Sequence, residues 1–318
     1  MRMRRNLLIG AFFAAFSAAA MAAAPFSAID NPGFYRIMLG DVEVTALSDG
    51  ISPMPADKIL INTRPQQLEK AMAANNLSLP LPTSVNAYLI NTGNKLVLVD
   101  AGTGALHGET LGKMMKNLNA SGYQAEQVDE IYLTHLHPDH VGGLMADKRL
   151  AFPNATVWVE KDEVAFWLSE EKKRQAEEKD KRFFDAAIAS LQPYVTAGKL
   201  KTFAGNQALT PGISAIDTRG HTPGHSVFAV ESKGKKMVIL GDMIHVASVQ
   251  FTDPNVAIAY DIDVPAAVAQ RKRLFDDLVQ QRALVAGAHL SFPGLGYINK
   301  QGKGYDWQPL NYGAMNPH

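Results

Sequence analysis

The chain has 318 residues, with 31 Lys and Arg balanced by 31 Asp and Glu, and it contains no cysteine. At 47% apolar and 19% charged residues the composition is that of an ordinary globular protein, which excludes a disordered chain, a disulfide framework and a thiolate metal site. Zero net charge argues against a protein that grips nucleic acid, because neutralising phosphates needs a basic face.

The N-terminus reads as an export signal over residues 1–22. Arg2, Arg4 and Arg5 form a positive start, residues 7–20 are apolar, and Ala20-Met21-Ala22 fits a small-residue cleavage pattern. The apolar run is shorter than the roughly 20 residues that span a bilayer, so no stable membrane anchor is expected. Arg4-Arg5-Asn6-Leu7-Leu8 is also a loose twin-arginine pattern. The expected location is the periplasm or the exterior.

Residues 30–318 contain no repeat or linker and read as one domain. Residues 35–46 suggest two strands around Gly40 and Asp41, and residues 86–90 and 95–99 a second pair. A helix is expected over 111–118, then strands at 128–133 and 155–159. Helical stretches follow at 162–175 and 182–194. Strands return at 199–203, 213–217, 226–231 and 236–240. Asp263 is a natural N-cap for a helix with Pro265 in its first turn and Ala267, Arg271, Leu274, Phe275 and Leu278 at helical spacing. A short buried strand over 283–286 comes next. Strands interspersed with single helices imply sheets covered by helices.

The chemistry gathers where strands end. His135, His137, Asp139 and His140 directly follow the strand at 128–133. Residues two apart in an extended segment point the same way, so His135 and His137 can converge on one ion. Pro138 then turns the chain and lets Asp139 and His140 face a second point. Four ligand-type side chains in six residues read as a metal site rather than as packing. His221 and His225 lie in a Gly-His-Thr-Pro-Gly-His string, and spacing alone does not choose between them. Asp242 ends a strand, where its two oxygens can bridge two cations. His289 follows the 283–286 strand.

Together these strings resemble the metallo-β-lactamase superfamily, and within it most closely the methyl parathion hydrolase group. The likeness runs over residues 47–49, 97–102, 128–144, 220–225 and 289–296. It implies an α/β fold, an αββα sandwich of two facing mixed β-sheets flanked by helices. It also implies two divalent transition-metal ions: His135, His137 and His221 would hold one, Asp139, His140 and His289 the other, and Asp242 would bridge them. His225 would stand behind the ligands, and Asp100 would support a ligand histidine through a hydrogen bond. Imidazole and carboxylate donors favour zinc, with manganese, cobalt and iron also fitting.

The resembled group implies a hydrolase that attacks with a metal-bridging hydroxide, with Asp139 steadying the nucleophile and passing a proton to the leaving group. Flavodiiron-type members carry a glutamate where this chain has His137, and the β-lactamases proper use a cysteine ligand or lack the bridging aspartate. Trp167 and Phe183 match aromatic pocket positions. Ile59, His107, His245, Ile258 and Tyr260 depart from the phosphotriesterase members, and such a polar pocket favours a lactone or aryl ester as the small-molecule partner. Organophosphate hydrolysis is the alternative reading, and a metal-holding protein without turnover a third. No nucleic acid partner is expected; a homodimer is left open.

Overall fold

The strands expected at residues 35–46 form a hairpin, β1 (Phe34–Leu39) and β2 (Val42–Met54), around Gly40 and Asp41. In the computed structural model, which describes residues 26–27 and 29–313, this hairpin opens a seven-stranded sheet. The sheet continues in chain order through β3 (Leu81–Asn91), β4 (Leu96–Val99), β5 (Glu130–Tyr132), β6 (Thr156–Glu160) and β7 (Leu200–Phe203). Pairing is antiparallel as far as β4 and parallel from β4 to β7.

A second seven-stranded sheet holds β8 (Gln207–Thr210), β9 (Ile213–Asp217), β10 (Ser226–Ser232), β11 (Lys235–Ile239), β12 (Leu284–Ala286), β13 (Leu295–Gln301) and β14 (Gly304–Pro309), again in chain order. Only β11 and β12 pair in parallel. The export signal expected at residues 1–22 lies outside the described residues; from Pro32 onward the chain clusters as one compact unit. No helix among the described residues is long and apolar enough to cross a membrane.

Side-chain alternation explains the layering. In β3 and β4, Tyr88, Ile90, Val97 and Val99 point inward and meet Phe228, Val230, Met237 and Ile239 of the other sheet. Their neighbours Leu89 and Leu98 point outward and pack under α1 (Met114–Ala120) and α4 (Lys181–Thr196) through Leu118, Ala187 and Leu191. On the far side Val227, Ala229, Val238 and Val285 meet Leu274, Phe275 and Leu278 of α5 (Val264–Gln281). Both faces of each sheet are covered, so the central strands read as unbroken apolar runs rather than as alternation. This is the expected αββα sandwich.

Local sequence explains where elements begin. Asp263 caps α5 by accepting from the Ala266 N–H at 3.0 Å. The helical stretch expected at 162–175 is two helices, α2 (Lys161–Trp167) and α3 (Glu170–Gln175), because Ser169 starts a new one by accepting from the Lys172 N–H. The helix expected from 111 begins at Met114, because the buried Asp49 carboxylate draws the N–H groups of Gly112 and Met114 to itself, both at 3.0 Å. The hairpin β13–β14 carries no strong period in the sequence and was not expected.

Candidate metal centre

Four segments that follow strands at one edge of the sandwich deliver ligand-type side chains. After β5 the chain runs through Thr134 to His135, and His137 then precedes a four-residue helix, Pro138–Val141, with Pro138 at its start. That turn carries Asp139 and His140 to a second point close by, the His140 ring 4.1 Å from that of His135. The segment between β9 and β10 brings His221, the end of β11 brings Asp242, and the end of β12 brings His289. Parallel strands that present their carboxyl ends to a common edge are the usual location of sites in α/β proteins.

Among the described residues, His135, His137, His221 and Asp242 each place a ligand atom within 4.8 Å of the others, and so do Asp139, His140 and His289; Asp242, His245 and His289 form a third, overlapping group. Asp242 joins the first two. Its Oδ2 lies 3.5 Å from His135 Nε2 and 3.3 Å from His221 Nε2, while Oδ1 lies 3.0 Å from His140 Nε2 and 3.1 Å from His289 Nε2. Asp139 Oδ2 stands 3.5 Å from His289 Nε2. Donors about 2.0–2.2 Å from a shared tetrahedral ion lie about 3.3–3.5 Å from one another, so the spacing suits a cation in each group. His135 Nε2, His140 Nε2 and Asp242 Oδ1 are also buried with no hydrogen-bond partner. Such atoms cost about 1–3 kcal/mol each unless something binds them, and coordination is what this donor set offers.

Behind the donors stands a layer of anchors. Asp100 Oδ2 lies 2.8 Å from His140 Nδ1, and Asp100 also accepts from the Thr134 N–H and hydroxyl. Asp100 does so from a left-handed backbone conformation (φ 59°), a strained geometry of the kind found at functional sites. Asp261 Oδ1 lies 2.8 Å from His221 Nδ1, and the Ser84 carbonyl 3.0 Å from His289 Nδ1. Each fixes which ring nitrogen faces the cluster. His225 is not among the donor groups. Its Nε2 accepts from the Asp242 backbone N–H at 3.1 Å and its Nδ1 meets the Thr218 hydroxyl at 2.8 Å. Gly241 lies against that ring: a Cβ there would fall 2.8 Å from His225 Nε2, and the residue sits at φ +51°.

Burial and neighbouring charge set the protonation of the cluster. Burial pushes the His225 imidazole down to about 3, and the His135 and His137 imidazoles well below the usual range. Burial acts on His221 in the same direction, but hydrogen bonds and charge from Asp242 and Asp261 outweigh it and carry that imidazole up to about 9. His140 is also raised against burial, by Asp242, Asp139 and Asp100. Burial would raise Asp242, yet the surrounding histidines hold it well below the carboxylate range. Metal uptake must therefore release protons, since His221 is protonated below about pH 9 before a cation arrives. Apparent metal affinity is expected to fall as pH drops from 8 to 6, up to about tenfold per unit for each proton displaced. Titrations at three pH values check this; a flat profile contradicts it.

A cavity of about 630 Å³ opens over the cluster, walled by Ile59, His107, Phe183, His245 and Tyr260 above His137, Asp139, Asp242 and His289. His245 Nε2 lies 3.0 Å from Asp242 Oδ2, and its ring stacks on that of His289 with centroids 5.0 Å apart. Two pocket expectations are corrected. Ile258 is buried beside Leu60 in the strand pair Ala257–Ile258 and Leu60–Ile61, and its N–H reaches Asp261 instead of its side chain reaching the cavity. Trp167 lies behind His137, its ring edge-on at 5.3 Å, and lines a neighbouring recess. Asp261 and Glu163 were missed, because single carboxylates in polar segments carry no distinguishing pattern.

Residues 80–289 match the family described as the Metallo-beta-lactamase superfamily. An N-acyl homoserine lactonase of Bacillus cereus is 25% identical over 234 residues, 68% of this chain and 83% of that relative. Among solved structures, a hydrolase described as AbOPH in the beta lactamase superfamily aligns with a TM-score of 0.86 at 36% identity, over 90% of this chain and 100% of that one. AidC, a dizinc quorum-quenching lactonase solved with the product N-hexanoyl-L-homoserine, aligns with a TM-score of 0.82 at 29% identity, over 89% of this chain and 99% of that one.

Proposed function

The chain belongs to the metallo-β-lactamase superfamily and is a metal-dependent hydrolase, and we propose that it cleaves small lactones or aryl esters with two zinc ions. The observation that carries the reading is Asp242, one oxygen turned to each donor group beneath a cavity of substrate size. His135, His137 and His221, with Asp139, His140 and His289 and Asp242 between them, would hold two cations, whose chemistry there would be to lower the pKa of a coordinated water and to polarise the ester carbonyl. The chain's own part is positioning and proton transfer. Asp139 is the most exposed of the donors and faces the cavity, so it is the carboxylate placed to orient the nucleophile and to pass a proton to the leaving alkoxide. Phe183, its ring 5.0 Å from that of His137, offers a flat apolar wall for an aromatic or alkyl group. The lactonases among the relatives support the lactone reading.

Phosphotriester hydrolysis is the second reading, favoured by the resemblance of the chain's motif strings to the methyl parathion hydrolase group. A panel of lactones, aryl esters, phosphotriesters and β-lactams on metal-loaded protein decides among them. Elemental analysis of active protein is expected to give close to two transition-metal ions per chain; one or none contradicts the dinuclear reading. Export to the periplasm or beyond is part of the proposal and rests on residues 1–22. Fractionation of the native host tests it.

A further inference from the structure

Glu163, on α2, is a fully buried carboxylate with no ion-pair partner among the described residues. Its Oε1 accepts from the Leu136 backbone N–H at 3.1 Å and from the Trp167 indole N–H at 2.9 Å. Its Oε2 accepts from the Gly224 backbone N–H at 2.7 Å. Leu136 stands between His135 and His137, and Gly224 between His221 and His225. One carboxylate therefore spans the two loops that supply the three histidines of a single donor group.

Trp167, held by the same Oε1, lies edge-on to the His137 ring. Gly224 permits the contact, because a Cβ there would fall 2.7 Å from the Glu163 backbone nitrogen. The imidazoles of the other donor group are anchored elsewhere: His140 rests on Asp100 and His289 on the Ser84 carbonyl. Burial pushes the Glu163 carboxyl above its usual range, and the Thr222 hydroxyl, with the Gly224, Leu136 and Trp167 N–H groups, pulls it part of the way back. The three N–H groups can only donate, so the acceptor-only carboxylate is the form that satisfies them. A buried carboxylate that serves only the fold is an expensive choice, since an apolar side chain would pack there without the desolvation cost.

We propose that Glu163 is a positioning residue for one metal position alone: by clamping the His135–His137 and His221 loops together it sets the affinity of that position and not of the position formed by Asp139, His140 and His289. The proposal rests on the dinuclear reading above. Fixing the loops before a cation arrives spares the ordering that binding would otherwise require, and supporting partners of this kind are worth roughly 10–100-fold in metal affinity.

The test is cobalt titration of the metal-free protein, followed by visible absorption, in two backgrounds. Asp139→Ala keeps the clamped position and weakens the other; His137→Ala does the reverse. Glu163→Gln sets an amide NH2 against an N–H donor and is expected to weaken cobalt binding roughly 10–100-fold in the Asp139→Ala background. In the His137→Ala background it is expected to leave binding unchanged. Trp167→Phe keeps a six-membered aromatic ring, loses the indole N–H and should act in the same direction but less; it decides the matter if Glu163→Gln fails to fold, as judged by the Tm of the metal-free protein. Equal weakening in both backgrounds, which a purely structural role predicts, overturns the proposal. So does an effect confined to the second position, or none. Fewer than two cobalt ions on the unaltered protein would instead count against the dinuclear reading.

Discussion

His221→Ala is expected to lose one of two bound metal ions and at least about 10³-fold in kcat/KM, a barrier increase of roughly 4 kcal/mol. The size follows from what the side chain touches. His221 Nε2 lies 3.1 Å from His137 Nδ1 and 3.3 Å from Asp242 Oδ2, and its Nδ1 is held by Asp261. Removing it opens one donor group and leaves the buried Asp261 Oδ1 without its imidazole partner, while Oδ2 keeps the Ile258 N–H. His225→Ala removes a ring of the same size from the same string, only four residues away. The expected cost is smaller, because that ring receives the Asp242 N–H rather than facing the donors. The variant should keep most of its metal and lose turnover through a displaced Asp242. Metal content and kcat/KM measured on the two variants side by side check the contrast, and greater metal loss from His225→Ala would reverse the assignment. Chelation of the unaltered protein should abolish turnover outright, with recovery on adding metal back.

How much of this was legible in the sequence depends on how rare each signal is. Histidine is scarce, so His135, His137 and His140 in a six-residue stretch just after a strand announce a site, and the structure brings them to one sheet edge with His221, Asp242 and His289. The choice between His221 and His225 was closed to spacing. Both lie between the same two strands, and the Thr222–Gly224 turn, which no period describes, decides which ring reaches Asp242 Oδ2. Asp261 and Glu163 are fully involved yet invisible, because carboxylates at helix starts and in loops are common on any surface. Sheets covered by helices were readable from strand runs and from α5, whose stripe of Leu274, Phe275 and Leu278 packs as its spacing implies, whereas the two-sheet sandwich followed from the family resemblance. Ile258 was misplaced for a physical reason. A β-branched residue near a site reads equally well as pocket wall or as strand core, and here it pairs with Leu60.

Substrate choice cannot come from the metals, since lactone and phosphotriester hydrolysis draw on the same nucleophile and the same charge stabilisation; it must come from the cavity walls. A lactone presents a planar carbonyl whose leaving group stays tethered in the ring. A phosphotriester presents a tetrahedral centre with three substituents to house and an aryloxide to expel. The third substituent needs room beside the cluster, and that room is occupied by the His245 imidazole, stacked on His289 and 3.0 Å from Asp242 Oδ2. Opposite it Phe183 and Tyr260, centroids 6.1 Å apart, narrow the cavity further. We therefore expect kcat/KM for an aromatic lactone or aryl ester to exceed that for methyl parathion or paraoxon by at least roughly 10²-fold, about 2.7 kcal/mol in transition-state binding. His245→Leu should narrow the gap from both sides, exchanging a hydrogen-bonding ring for a flexible apolar chain and releasing the contact to Asp242. Equal or reversed efficiencies in the unaltered protein would show that these walls do not discriminate and would promote the phosphotriester reading over the lactone one.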